Sequence, residues 1–329
     1  MEEMELDVWK NDWGLPSVDV ECLQVLAYAK FNGIPIKVNT SGNPYNTPRG
    51  RLPVLRINDR NLDTVKEIIL YFQKRQWNSE IELDPKECAL IMAYNELLKE
   101  KLLPALQFIW WIDKKNVDDL IRPWYSKALP FPLNFYYPGK YERQSRALFE
   151  CLYPTEDNIT DIENKVYSEA RKCLTLLSTR LEDSKHYFFG EKPTLMDAIL
   201  YSYLAPLLKI KLPNAALQNH LKACTNLEKY VSRISQKYFE KDYQEYEQRK
   251  AEENAHKVRR DSETDFPNKR RNQFFAGIFA TLAMAAYAIS TGIVQSSTHE
   301  KQTKHYIRSR QRKTAGRNQR AQKDSGITP

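Results

Sequence analysis

An uncharged run of 21 residues, from Phe274 to Val294, limits most strongly what this chain can be. As a helix it would be about 31 Å long, close to the roughly 30 Å hydrocarbon core of a bilayer. Three basic residues, Lys269, Arg270 and Arg271, lie just before it. A buried helix of this length in a water-soluble protein usually has a polar face, which this run lacks. The run therefore predicts a single transmembrane helix, with a buried soluble helix as the alternative.

The positive charge of the chain is concentrated after this run. Residues 295–329 contain nine basic and two acidic side chains, a net +7 of the total +8, so the rest of the chain is close to neutral. A nearly neutral body argues against a nucleic-acid-binding domain. We expect the tail to be a basic, disordered extension.

The N-terminus does not resemble a targeting segment. Residues 1–12 include Glu2, Glu3, Glu5 and Asp7, and they have neither the basic start nor the apolar stretch of a secretory signal. A matrix-targeting presequence would also be less acidic. We therefore expect a tail-anchored protein with its bulk in the cytosol. The alanine-rich run with basic flanks favours the mitochondrial outer membrane.

The first 77 residues alternate strand-like and helix-like patterns. They predict, in order, a strand, a helix capped by Asp19, two further strands, a short fourth strand and a closing helix from Thr64. This β-α-β then β-β-α order is that of a thioredoxin-like domain. Pro53 opens the third strand, where that fold has a cis-proline.

Residues 84–240 have the 3–4 spacing of apolar residues that is typical of helices. The sequence from Thr160 to Glu163 predicts a capping box at the start of one helix. A second box is predicted further along, where Thr194 and Asp197 satisfy each other's backbone N–H groups. We predict a structural role for this pair.

A thioredoxin-like unit followed by a helical domain with the motif F-G-x-x-P-T-x-x-D resembles the glutathione transferase fold. The expected class is thus α/β plus all-α, with domains at 1–77 and 84–240. A charged linker over 241–271, helical at first, would lead to the transmembrane helix at 274–294 and the tail at 295–329.

The transferase resemblance implies a hydroxyl or thiol near the start of the first helix, which activates the sulfur of glutathione. Ser17 is the vestigial candidate, although a polar turn residue is the more ordinary interpretation. Cys22 falls within a helical pattern and is expected to be packed.

Glutathione transferases also hold the glutamyl end of glutathione, usually with Glu or Gln followed by Ser. The chain has Asp63 and Thr64 there. Together with Pro53 they are vestigial cofactor-binding candidates, and we expect no catalytic residue and no bound cofactor. The five cysteines form no C-x-x-C pair, and no pair of histidines is spaced as metal ligands, so no metal site is expected.

A dense aromatic segment lies between residues 108 and 137. It is interpreted either as core of the helical domain or as a surface that binds partners. The partner-contact candidates are Trp124, Tyr125, Phe131, Phe135, Tyr136 and Tyr137.

Several strings sharpen the resemblance. In order along the chain they are WGLPSVD (13–19), EKLLP (100–104), WID (111–113), PFPLNF (130–135), CLTLLS (173–178), FFG (188–190), KLP (211–213) and RRNQ (270–273). These strings resemble the metaxin family over nearly the whole chain. The anchor resembles that of the tail-anchored type-one form, which the type-two form lacks. The basic tail is longer than the family pattern.

The metaxin resemblance implies a non-catalytic subunit of the mitochondrial outer-membrane sorting and assembly machinery, which aids protein import and the insertion of β-barrel precursors. Implied partners are the type-two metaxin, the β-barrel subunit, β-barrel precursors and motor adaptors. Two alternatives remain open. One is a membrane-anchored glutathione transferase, whose activity would depend on Ser17, and the other is an adaptor that links mitochondria to motor proteins.

Overall fold

A computed structural model of the protein describes residues 3–40, 43–58, 60–77, 83–156, 158–183, 185–262 and 269–290. The chain divides into two compact units, Met1–Asn254 and Ala255–Pro329. The predicted basic tail at 295–329 lies outside the described residues, as do the last four residues of the predicted membrane helix.

The N-terminal part is a four-stranded sheet with two helices. Its elements are β1 (Met4–Asp7), α1 (Val20–Phe31), β2 (Lys37–Asn39), β3 (Val54–Ile57), β4 (Arg60–Leu62) and α2 (Val65–Lys74). The strand order is β2-β1-β3-β4, with β1 parallel to β2 and β3 antiparallel to both of its neighbours. The strands and helices follow the order predicted from the sequence, and the Leu52–Pro53 peptide bond is cis, as expected for this fold.

Both helices of this part begin at side-chain caps. Asp19 accepts a hydrogen bond from the Cys22 amide at 2.9 Å, and Thr64 accepts one from the Glu67 amide at 3.2 Å. Each cap satisfies an amide that would otherwise have no partner in the first turn. The caps therefore fix where α1 and α2 start relative to the sheet.

The rest of the first unit is helical, and its last helix continues in sequence past Asn254 into the second unit. Its helices are α3 (Pro85–Leu97), α4 (Leu103–Trp111), α5 (Lys114–Asn116), α6 (Arg122–Ala128), α7 (Leu133–Leu152), α8 (Ile159–Leu181), α9 (Leu195–Lys209), α10 (Ala216–Ala223) and α11 (Thr225–Ser262). Helix α9 is almost wholly buried and lies against α1, so it joins the sheet domain to the helical domain. This arrangement is the glutathione-transferase-like fold that the sequence predicts.

The predicted capping box at Thr160 is wrong in its position. Helix α8 begins earlier, at Ile159, and its cap is Asn158, whose side chain accepts from the Thr160 amide at 3.0 Å. Because the Asn158 side chain caps this amide, the helix starts one residue before Thr160, and Thr160 lies inside its first turn.

Helix α11 continues past the helical domain into the predicted linker. It has a non-helical backbone at Phe239 and then runs on to Ser262. Residues 263–268 lie outside the described residues, and α12 follows at Lys269–Ser290. Within the part of the chain that the structure describes, no helix has both the length and the apolarity needed to cross a membrane.

Candidate functional site

The candidate site is the start of α1, where a transferase would present its activating group. Ser17 lies here with no exposed surface, and its hydroxyl is 3.5 Å from the Asp19 amide. A hydroxyl without exposed surface cannot reach a dissolved thiol substrate. The position that the transferase resemblance assigns to chemistry is therefore closed in this conformation.

Cys22, the other candidate, is also fully buried. Burial, followed by the charge of the neighbouring Asp19 carboxylate, raises the pKa of its thiol well above the ordinary value. The thiolate is the nucleophilic form of cysteine, and a raised pKa removes it at neutral pH. Cys22 is thus a packing residue of α1, as the sequence indicates.

An aromatic cluster covers this end of α1. Trp9, which follows β1, makes edge contacts with Tyr125, Tyr137 and Tyr141, with ring centroids 5.2, 6.4 and 6.4 Å apart. Burial raises the pKa of both Tyr125 and Tyr141. Nearby negative charges, among them the Asp19 carboxylate, raise it further. Side chains of the helical domain thus lie beside Asp19, where a transferase needs open space for its substrate.

A second contact holds the loop before α1. The indole Nε1 of Trp124 donates to Asp12 Oδ2 at 2.8 Å, and the ring of Trp124 lies 5.8 Å from that of Trp13. Asp12 also accepts from the Trp13 amide through Oδ1 at 2.8 Å. Both oxygens of Asp12 are therefore engaged in positioning this loop against α6.

The two residues at the glutamyl position are engaged as well. Asp63 forms an ion pair with Arg49, with Nε 3.2 Å from Oδ2. The Thr64 hydroxyl donates to the Glu67 carboxylate at 2.9 Å while it caps α2. Asp63 is therefore already paired with a cation at the position where a transferase binds the glutamyl group.

The Thr194–Asp197 pair is a buried hydrogen-bonded box. Asp197 Oδ2 accepts from the amide and the hydroxyl of Thr194 at 2.7 and 2.9 Å. Its Oδ1 accepts from the Phe188 amide at 2.8 Å and from the Tyr230 hydroxyl at 2.9 Å. One carboxylate thus joins the loop before α9 to α9 and to α11, and its contacts are those of a structural residue.

The six partner-contact candidates separate into two sets. Tyr137 is buried and Trp124 and Tyr125 are half-buried, all within the aromatic cluster described above. Phe131, Phe135 and Tyr136 are 81%, 70% and 54% exposed. The ring centroids of Phe131 and Phe135 are 6.3 Å apart, and the ring of Tyr136 lies 5.3 Å from that of the buried Tyr137. We refer to Phe131, Phe135 and Tyr136 together as the exposed aromatic patch.

Sequence reasoning missed the contacts that close the loop before α1. Gly14 has a backbone φ of +71°, and a Cβ there would lie 2.7 Å from the ring of Tyr243. Lys209, at the end of α9, donates to the Gly14 carbonyl oxygen at 3.1 Å. The glycine in the WGLP string was the available signal, because a positive φ or a close approach favours that residue.

Two family models match the chain. One, described as "Outer mitochondrial membrane transport complex protein", matches residues 22–142, and the other, described as "Glutathione S-transferase, C-terminal domain", matches residues 170–234. The second match covers α9 and most of its neighbours in the helical domain. It agrees with the fold derived above.

Curated relatives cover most of the chain. Metaxin-1 of Mus musculus is 40% identical over 294 residues, 88% of this chain and 91% of that protein. Metaxin-3 of Xenopus laevis is 41% identical over 73% of this chain and 78% of that protein. The Metaxin-1 homolog of Drosophila melanogaster is 33% identical over 91% and 92% of the two chains.

Among solved structures, the beta-etherase LigF from Sphingobium sp. strain SYK-6 has a TM-score of 0.49 at 13% identity, over 74% of this chain and 99% of that one. The sequence relatives carry the assignment, because their identity extends through both the sheet domain and the helical domain. On this evidence the chain belongs to the metaxin family.

Proposed function

We propose that this protein is a non-catalytic subunit of the mitochondrial outer-membrane sorting and assembly machinery, which aids protein import and the insertion of β-barrel precursors. The match to the outer-membrane transport family and the metaxin relatives support this proposal. The observation that carries its non-catalytic part is the complete burial of Ser17.

The proposed contact surface is the exposed aromatic patch of Phe131, Phe135 and Tyr136. Aromatic side chains are enriched in protein interfaces, and these three exposed rings lie close together in the sequence, just before and at the start of α7. The proposed partners are the type-two metaxin, the β-barrel subunit of the machinery and the precursors themselves. A precursor exposes alternating apolar residues and unpaired strand edges, and a docking surface near the membrane would limit its aggregation.

The test is complementation of cells from which the protein has been depleted. A variant with Phe131→Ser, Phe135→Ser and Tyr136→Ser should not restore normal levels of outer-membrane barrel proteins. The β-barrel subunit should co-purify with the unmodified chain and not with this variant. A matched control carries Leu152→Ser and Ile159→Ser, two apolar residues that are 47% and 48% exposed elsewhere. Normal barrel levels in depleted cells would contradict the proposal.

We further propose that residues 274–294 anchor the chain in the outer membrane with its bulk on the cytosolic side. The support is the uncharged sequence and its basic flank at Lys269, Arg270 and Arg271. Ala283→Arg should release the protein from mitochondria, because arginine at mid-bilayer costs about 2.5–3.5 kcal/mol, whereas Ala283→Leu should not. Protease added to intact mitochondria should degrade the bulk of the chain.

The alternative of a membrane-anchored glutathione transferase makes an opposite prediction. It requires that the full-length protein bind immobilised glutathione and conjugate it to an electrophile, with loss of conjugation in Ser17→Ala. The burial of Ser17 and the ion pair of Asp63 lead us to expect neither activity. Conjugation that depends on Ser17 would overturn the non-catalytic assignment.

A further inference from the structure

A basic cleft lies between the end of α9 and the second half of α11, apart from the site at Ser17. Its volume is about 230 Å³, and its lining residues are Trp13, Lys209, Lys211, Tyr243, Tyr246, Glu247 and Lys250. The lining thus includes three lysines and one acidic residue, Glu247. Neither the vestigial transferase residues nor the exposed aromatic patch contribute to it.

The loop, α9 and α11 hold the cleft in place. Lys209 donates to the Gly14 carbonyl oxygen at 3.1 Å and lies 5.9 Å from the ring centroid of Tyr243. On the other wall, Lys250 lies 5.6 Å from the ring centroid of Tyr246. Two of the lysines therefore lie against aromatic rings, on a surface built from three separate segments of the chain.

Within the described residues the positive charge of the cleft is only partly compensated, because the Asp242 carboxylate attracts the Lys209 ammonium group from a longer distance. No carboxylate there lies within 4.0 Å of the ammonium groups of Lys209, Lys211 or Lys250. The Asp12 carboxylate of the adjacent loop accepts hydrogen bonds through both of its oxygens, and its charge acts on Tyr246 in the wall of the cleft. Burial lowers the pKa of Lys209 to about 8, so an anion placed beside it would recover lost interaction energy.

The size and the lining of the cleft restrict its ligand. Pockets for small molecules usually have volumes of roughly 300–1,000 Å³, and this cleft is smaller. It has room for one or two side chains of an extended segment. A phosphate group alone would make no use of the aromatic lining that Trp13, Tyr243 and Tyr246 provide.

We propose that this cleft binds a short acidic peptide segment of a partner protein, with a carboxylate between the three lysines and an apolar neighbour on the aromatic rings. The complementarity is that of a positive cleft for a negative segment, which steers association and fixes its register. The aromatic walls supply contact area of the kind found at the centre of protein interfaces.

The experiment measures binding of a fluorescent peptide of alternating glutamate and leucine to the full-length protein in detergent. The double variant Lys211→Glu and Lys250→Glu should bind about tenfold more weakly, because two attractive charges become repulsive. The control is Lys222→Glu with Lys229→Glu, which makes the same change of net charge at two exposed lysines outside the cleft. This control should bind as the unmodified chain does.

Three outcomes would overturn the proposal. They are no measurable binding of the peptide, an equal loss in both double variants, and displacement of the peptide by inorganic phosphate or by phosphatidylserine vesicles. The last would assign the cleft to a phosphate group instead. The milder pair Lys211→Gln with Lys250→Gln covers the case in which the charge reversals disturb folding. That pair should show a smaller loss in the same direction.

Discussion

Two parts of one aromatic segment, residues 124–137, have opposite environments. Trp124, Tyr125 and Tyr137 contact the N-terminal domain around Trp9 and Trp13, whereas Phe131 and Phe135 are largely exposed. The first set packs against residues that precede α1, near the end of that helix where a transferase binds its substrate. The second set gives the surface an apolar patch that the enzyme fold does not need. The comparison shows that one aromatic segment packs some of its rings against the N-terminal domain and leaves others in water.

The largest effect is expected at the centre of the buried set. Trp9→Ala removes a side chain that is 4% exposed and touches Tyr125, Tyr137 and Tyr141. Large-to-small changes of this kind cost about 3–5 kcal/mol, so the free energy of unfolding should fall by that amount in urea titrations of the detergent-solubilised chain. A loss below 1 kcal/mol would show that the cluster contributes little to joining the two domains.

Gly14→Ala tests whether α11 seals the loop before α1. The new methyl group would meet the Tyr243 ring at 2.7 Å, in a backbone with φ of +71°. We expect a loss of about 2 kcal/mol from overpacking and backbone strain together. The measurement is the unfolding temperature of Gly14→Ala compared with that of the unmodified protein.

The matched control for Gly14→Ala is Gly33→Ala. Gly33 has a similar φ of +61° with no atom near its would-be Cβ, so this variant shows the strain alone. Adding Tyr243→Ala to Gly14→Ala should recover part of the loss, because the clash is removed. Equal effects of the two glycine variants would mean that Tyr243 does not press on the loop.

A smaller effect is expected for the indole hydrogen bond between the two domains. Trp124→Phe removes the donor to Asp12 and leaves a half-buried carboxylate oxygen without that partner, at a cost of about 1–2 kcal/mol. Trp110 is the control, because its buried Nε1 has no hydrogen-bond partner in the described residues, so Trp110→Phe should cost less. Urea midpoints of the two variants provide the measurement. A larger loss in Trp110→Phe would contradict the assignment.

The smallest effect on stability is expected in the exposed set. Phe131→Ser, Phe135→Ser and Tyr136→Ser should each change the free energy of unfolding by less than about 0.5 kcal/mol, since these rings are already in water. Their effect should appear in partner co-purification instead. A stability loss comparable to that of Trp9→Ala would show that the patch is part of the core.

Much of the framework follows from local patterns in the sequence. The caps at Asp19 and Thr64, the order of strands and helices, and the pairing of Thr194 with Asp197 involve residues within a few positions of one another. Local patterns also mislead where two caps compete, as at Thr160, where the nearby Asn158 side chain takes the position.

The site itself was not determined by the sequence alone. Periodicity did not separate the buried from the exposed aromatic rings of residues 124–137, because this segment passes from α6 through residues 129–132 into α7 and no single helical period runs through it. Composition indicated a polar linker after residue 240, yet Tyr243 and Lys250 of that stretch line a cleft with Lys209. Contacts of this kind depend on segments far apart in the chain.

The sequence by itself determined the thioredoxin-like unit, the helical domain and the family, since capping residues, apolar spacing and motif strings act over short distances. Only the tertiary structure decided that Ser17 is closed off, that three aromatic rings are exposed and that three lysines share a cleft. The reason is the separation of the contacting residues. Trp124 meets Asp12 across 112 positions and Lys209 meets Gly14 across 195, and no local pattern encodes which distant surfaces pack together.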